Sequence, residues 1–148
     1  MNILIIFATY SGGTQLAADA VAKTLQKKGQ AVRVMNPKLV KAGDITSSDL
    51  SVFCSPSWDV NGKSGQPHED FLFLIKETVN VLFEGKQFAV LGLGDSSYPH
   101  FCGAVNELEL FVAQKKGVLK MPSLRIDGFF YDEGKHTKTI EEWANNLV

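Results

Sequence analysis

The amino-acid sequence predicts a three-layer α/β domain, a five-stranded parallel sheet with helices on both faces. Three observations carry that expectation. Apolar runs of strand length alternate with helical patterns of 10 to 15 residues, as βαβ units require. The runs 2–8 and 87–93 are apolar without alternation, which marks strands covered on both faces. The chain of 148 residues, 45% hydrophobic, has the size of a single domain with one core, spanning 1–148.

In chain order, "NILIIFA" (2–8) reads as the first strand. Leu16, Ala17, Ala20, Val21, Thr24 and Leu25 then form one helical face after Thr14, ending near Gly29. "AVRVMN" (31–36) is the second strand, and Pro37 to Ser48 reads as a short helix within a loop. "LSVFCS" (50–55) is the third strand, followed by a helix with Phe71, Leu74, Ile75 and Val79 on its inner face. "QFAVLGL" (87–93) is the fourth, followed by a helix with Ala104, Leu108, Phe111 and Val112, stopping at Gly117. "SLRIDG" (123–128) is a weaker fifth strand, and a last helix runs from about Thr137 through Trp143 to Leu147.

Composition excludes several classes. Fifteen Lys and Arg against 16 Asp and Glu give a formal net charge of −1, without the basic excess of a general nucleic-acid binder. No apolar run approaches the length of a membrane span, and no secretory leader opens the chain. Cys54 and Cys102 are far apart and match no metal spacing, so both read as reduced thiols of a cytoplasmic protein. There is no repeat or low-complexity segment.

A doubly wound sheet binds its ligand at the carboxyl ends of its strands. The loops there are 9–14, 55–68 and 94–102. In the first, Gly12 and Gly13 allow close approach of the backbone, and Thr9, Ser11 and Thr14 add hydroxyls. Free N–H groups at a helix start make an anion site without formal charge, and a phosphate monoester is its natural guest. The lysine of a nucleoside-triphosphate loop is missing, the first basic residue being Lys23. A helix cap with a tight turn would account for this loop alone. The next two loops change the balance. "SPSWDVNGKSGQPHED" (55–70) carries Trp58 just past the third strand, and "GLGDSSYPHFCGA" (92–104) carries Tyr98 past the fourth. Two such aromatics can clamp a flat ring, at about 0.5–1.5 kcal/mol per aromatic pair beyond burial.

T-Y-S-G-G-T after the first strand, S-x-x-W after the third and G-x-G-D-S-S-Y-x-x-F-C-G-A-V after the fourth resemble the flavodoxins, short-chain branch, over essentially the whole chain. The resemblance implies strand order 2-1-3-4-5, one noncovalently bound FMN, and low-potential, one-at-a-time electron transfer between redox enzymes, with no catalytic residue of the chain's own. It implies a monomer that meets flavin or iron–sulfur reductases and acceptors. Thr9, Ser11 and Thr14, with Tyr10, Gly12, Gly13 and the amides of 11–14, would hold the phosphate. Trp58 would cover the inner ring face and Tyr98 the outer, beside Phe101. Gly94 and the backbone of Asp95 and Cys102 would meet the pyrimidine edge, Cys102 through its amide.

Four departures from the family pattern stand out. Gly13 replaces the usual Asn. Pro56 is inserted in "SPSW", which leaves open whether Ser55 or Ser57 meets the phosphate. Asp59 follows Trp58 where a glycine is common, so the peptide expected to flip on reduction is Asn61–Gly62, or else a non-glycine peptide at a cost. The chain is nearly neutral, with Lys63, His68 and His100 among the loop acids; both histidines are expected to be solvated. Phe129 and Phe130 in "GFFYDEGKH" (128–136) are expected to pack. The rival class is an FMN-dependent quinone or azo reductase, which needs an open ring face and an oligomer. A phosphoryl-accepting receiver domain is excluded by Ala8-Thr9 and Ser55-Pro56 where it needs acids.

Overall fold

A computed structural model describes all residues, 1–148. Its central sheet is parallel throughout, built from β1 (Asn2–Phe7), β2 (Ala31–Met35), β3 (Leu50–Pro56), β6 (Gln87–Gly94), β7 (Val118–Leu119) and β8 (Leu124–Asp127). The order is β2-β1-β3-β6-β7, with β8 also on β6. β4 (Trp58–Val60) and β5 (Lys63–Gln66) form a separate antiparallel pair. The helices are α1 (Gly13–Lys27), α2 (Ala42–Thr46), α3 (Glu69–Glu77), α4 (Gly103–Gln114) and α5 (Glu133–Asn145). Short 3₁₀ turns occupy Pro37–Leu39 and Phe129–Tyr131.

Alternate residues of each strand feed opposite faces, as a pleated sheet dictates. Ile3, Ile5, Val52, Cys54, Ala89 and Leu91 pack with α1 and α5, where Val21, Leu25, Ile140 and Trp143 meet them. Leu4, Ile6, Phe53, Phe88 and Val90 pack with α3 and α4 through Phe71, Leu74, Leu108 and Phe111. Each face therefore has its own core, and the unbroken apolar strands are explained. α1 stops in a Schellman motif: Gly29 at φ +79 donates to Gln26 O and Gln30 to Leu25 O, at 2.9 and 3.1 Å.

Three elements differ from the expectation. The fifth strand position is filled by two segments: β7 pairs with Gln87–Phe88 and β8 with Leu91–Gly94. Lys120 still donates to Phe88 O at 2.8 Å, but Pro122 has no N–H to extend the ladder, and its carbonyl instead accepts from Trp143 Nε1 at 3.1 Å. The segment 55–70 is not an irregular loop: β4 and β5 lie in it. Val79 falls beyond the end of α3 and is 69% exposed, so it does not belong to the inner face of that helix.

Candidate functional site

β3 pairs with β6 out to Pro56 opposite Leu93, and Ser57 N donates to Leu93 O at 3.0 Å. β1 runs beside β3 to Phe7 opposite Cys54. The segments that follow these three strands therefore leave one edge of the sheet side by side.

The segment between β1 and α1 is an open set of donors. Gly12 sits at φ +93, so α1 starts with no side-chain cap. Thr9 Oγ1 accepts from Gly12 N at 2.9 Å, which fixes the turn and leaves the threonine proton free to donate. The N–H groups of Ser11, Gly13 and Thr14 find no acceptor within the chain. They lie at the start of a 15-residue helix, whose dipole adds to their positive ends. Gly12 N–H, by contrast, is already used. Gly13 is the only fit at its position without a shift, because an added Cβ would lie 3.0 Å from Phe130 Cε2 and 3.4 Å from Leu93 Cδ2. Phe130 thus packs on the turn, as expected, while staying 55% exposed.

The two serines before the hairpin part ways. Ser55 is fully buried; its Oγ accepts from His68 N at 3.0 Å and donates to Pro56 O at 2.8 Å. Pro56 is buried beside it as the last residue of β3, so neither presents a side-chain donor to the turn. Ser57 Oγ accepts from Ala104 N at 2.9 Å and so caps α4 from another element, with its own proton still free. That bond ties the start of the hairpin to α4. Gly65, at the other leg, lies so close to α4 that a Cβ on Gly103 would fall 2.5 Å from Gly65 O. Ser64 Oγ and His100 Nδ1 are 2.6 Å apart across the same seam, which borders a polar crevice of about 460 Å³ lined by Lys63, Gln66, Asn106 and Glu107 among others. At the hairpin tip Asn61 and Gly62 have φ +53 and +77, the two-residue turn that "NG" favours.

Beyond β6, Gly94 is pressed against Cys102: an added Cβ would lie 2.9 Å from its Sγ and 3.0 Å from its N. The N–H groups of Asp95 and Cys102 have no acceptor in the chain. Asp95 takes Ser97 N at 2.9 Å and its hydroxyl at 2.5 Å, and Ser96 N donates to Asp127 Oδ1 at 2.9 Å, so the segment is held. Hydrogen bonding from Ser96, side chain and backbone, keeps the Asp127 carboxyl below its ordinary range. Trp58 is 50% exposed and Tyr98 70% exposed, both with large faces open to a ligand, while Phe101 is half-buried. Burial pushes both the Cys54 and Cys102 thiols up to about 12, so neither is nucleophilic near neutrality. Cys102 sits at φ +48 with Sγ turned inward toward Gly92 O and Ile126 O.

Two residues depart from the sequence reading. His68 is not solvated but 6% exposed, and its Nδ1 accepts from Asp70 N at 3.0 Å as the cap of α3. Its ring stacks on Tyr10 at 4.0 Å and 22°, and Tyr10 meets Trp58 edge-on at 5.1 Å. The signal was available: "PHED" places a ring acceptor at the N-cap of an acidic first turn. His100 is exposed, as expected, but bonded to Ser64 rather than free. No helix is long and apolar enough to cross a membrane.

Residues 5–143 match the family described as flavodoxin. A probable flavodoxin 2 of Bacillus subtilis is 32% identical over 127 residues, covering 85% of this chain and 82% of that protein. Among solved structures, oxidised flavodoxin 1 from Bacillus cereus superposes with a TM-score of 0.85 at 21% identity, over 100% of this chain and 97% of that one. A Fusobacterium nucleatum flavodoxin variant solved bound to flavin mononucleotide gives 0.77 at 20% identity, over 99% and 92%.

Proposed function

The chain belongs to the flavodoxin family, and from that premise we propose which of its residues hold the FMN on which its electron transfer depends. The protein is an electron carrier and not an enzyme, and its partners are redox proteins. FMN supplies the ability to take up and release electrons one at a time. Everything else is the work of the chain.

The observation that carries the assignment is the group of unpartnered N–H donors at Ser11, Gly13 and Thr14, with no cation in the turn. Those donors, with the hydroxyls of Thr9, Ser11 and Thr14, fit a phosphate monoester, and Tyr10 frames them. Ser57, whose proton is free, is the serine we assign to the phosphate side, because the Ser55 hydroxyl is engaged in the interior. Trp58 and Tyr98 cover the two faces of the ring and exclude water from them. The free N–H groups of Asp95 and Cys102 meet its pyrimidine edge, where Gly94 leaves no side chain in the way. The Asn61–Gly62 peptide, at the hairpin tip, is the one that would answer reduction of the ring, since both residues already stand at positive φ. Dipoles alone balance the phosphate, and Asp59 and Asp95 add negative charge to the ring loops. That negative charge would oppose the build-up of further negative charge on the ring.

We further read the chain as a monomeric single domain of the cytoplasm, exchanging electrons with flavin or iron–sulfur reductases and acceptors; the two buried free thiols support the reducing compartment. The test is stepwise anaerobic photoreduction of the FMN-loaded protein, followed by visible absorbance. Two resolved steps support one-electron carriage, and a single direct bleaching refutes it. Loss of FMN affinity in Thr14→Ala with riboflavin affinity retained supports the phosphate assignment, and equal loss of both overturns it.

A further inference from the structure

His68 is a buried ring that neither the phosphate nor the edge contacts use. Three bonds fix it. Its backbone N–H donates to Ser55 Oγ at 3.0 Å, anchoring it to β3. Its Nδ1 accepts from Asp70 N at 3.0 Å, anchoring it to α3. The ring lies nearly parallel to Tyr10, centroids 4.0 Å apart at 22°. Tyr10 is held from its other end, where its hydroxyl accepts from Glu69 N at 3.3 Å. The tyrosine then presents its ring to Trp58 at 5.1 Å and 61°. The order is therefore α3, His68, Tyr10, Trp58, a column of three rings. Its base is 6% exposed and its last member is 50% exposed.

We propose that His68 is a positioning residue for the flavin ring: stacked on Tyr10, it sets the plane of the Trp58 indole. The proposal rests on the reading of Trp58 as a ring cover. A half-exposed indole on a three-residue strand has little else to orient it, since its only aromatic neighbour is Tyr10. Tyr10 itself belongs to an uncapped turn, so its ring is held by the buried imidazole on its face and the Glu69 N–H on its hydroxyl. The His68 ring thus acts through another residue and has no contact of its own with the bound ring.

Two substitutions separate the two jobs of this residue. His68→Asn keeps a side-chain oxygen for the cap and deletes the ring. His68→Phe keeps the ring and deletes the cap. Dissociation constants for FMN and riboflavin and the two midpoint potentials are measured for each, in the presence and absence of Trp58→Ala. A stacking contact of this kind corresponds to roughly a 2- to 12-fold change in an equilibrium constant. We expect His68→Asn to weaken FMN and riboflavin alike within that range and to shift the potentials. We expect His68→Phe to restore both affinities to within about twofold, and the His68→Asn effect to vanish in the Trp58→Ala background. Should His68→Asn fold poorly, Tyr10→Leu removes the same stack from the other partner and is expected to give the same loss. Unchanged affinities and potentials in His68→Asn, an equal loss in His68→Phe, or a loss that persists without Trp58 would each overturn the proposal. Riboflavin affinity unchanged by Trp58→Ala overturns the reading of Trp58 and the proposal with it. A Trp58 effect beside a silent His68→Asn overturns the proposal alone.

Discussion

Gly103→Ala is the sharpest perturbation of the seam between the hairpin and α4. The added Cβ would lie 2.5 Å from Gly65 O, 2.8 Å from its Cα and 3.0 Å from its C, all backbone atoms. Ordinary contact begins near 3.5 Å, so the hairpin and the start of α4 must separate by about 1 Å. Gly65 cannot yield by itself: it stands at φ +67, with its own Cβ direction blocked by the His100 side chain at 2.7 Å. Overpacking of this kind costs about 1–3 kcal/mol. Gly103 is the first residue of α4, so the gain of alanine over glycine in a helix interior is not recovered there, and the net loss stays at about 1–3 kcal/mol. For a chain of this length that lowers Tm by roughly 2–12 °C. The displaced hairpin carries Trp58, so flavin affinity is expected to fall as well. The assay is paired: thermal unfolding of the apoprotein, and flavin titration. Gly134→Ala is the control, a helical glycine with nothing within 4 Å of its Cβ, expected to leave Tm equal or higher. A Tm for Gly103→Ala at or above that of the wild type refutes the clash. A lowered Tm with unchanged flavin affinity refutes the role of the seam in placing Trp58.

Gly62→Ala meets open space but keeps φ +77, so it strains only the hairpin tip, by about 1 kcal/mol, and is expected to lower the yield of the one-electron state in stepwise photoreduction; an unchanged yield removes this peptide from the role. Neither Cys54 nor Cys102 should react with a thiol reagent at pH 8 in the folded protein, whereas both react in denaturant; a titratable thiol in the native state contradicts the buried geometry. Asp127 has a folded pKa held below its ordinary value of 3.8, so it contributes stability above that pH that is lost as pH falls through the folded value. The Tm difference between wild type and Asp127→Asn should therefore be full near neutrality and close below pH 3.8, and a difference independent of pH refutes the assignment to Ser96.

The strands β1, β3 and β6 were legible because each is buried on both faces, and such strands carry their signal in every residue. The turn before α1 was legible as a helix start because its glycines and hydroxyl residues sit between an apolar strand and a helical pattern. The hairpin β4–β5 was not legible, because its strands are only three and four residues long and its support is tertiary: Gly65 against Gly103 and Ser57 on Ala104. Its tip was visible in Asn61-Gly62, but the tip alone does not say that strands flank it. The division of labour between Ser55 and Ser57 was equally hidden. It depends on which hydroxyl faces the interior, and the inserted Pro56 obscures the alternation that would tell. His68 was misjudged because a histidine among loop acids looks solvated, and only the fold brings Tyr10 over it. The split fifth strand follows from Pro122, a residue visible in the sequence whose effect depends on the ladder it interrupts.

Backbone strain is distributed unevenly, and the distribution argues for where the chain works. Four non-glycine residues have positive φ: Asn61, His100, Cys102 and Lys116. Three of them lie in the ring loops at the carboxyl edge of the sheet. For Cys102 in particular, φ +48 is unfavourable, and it accompanies a specific result: the thiol turns inward toward Gly92 O while the N–H has no acceptor in the chain. Gly94 tightens the same point, since any side chain there would collide with that cysteine. The opposite end of the sheet follows the reverse policy. Lys115 is 7% exposed, yet its Nζ donates to the Thr78 and Val79 carbonyls at the end of α3, so even a buried ammonium has its partners. No buried side-chain nitrogen or oxygen anywhere in the chain lacks a partner, whereas backbone donors stay open at Ser11, Gly13, Thr14, Asp95 and Cys102. Donors left open in this way are available to a bound group, and on the reading proposed above they would take a phosphate and the edge of a ring.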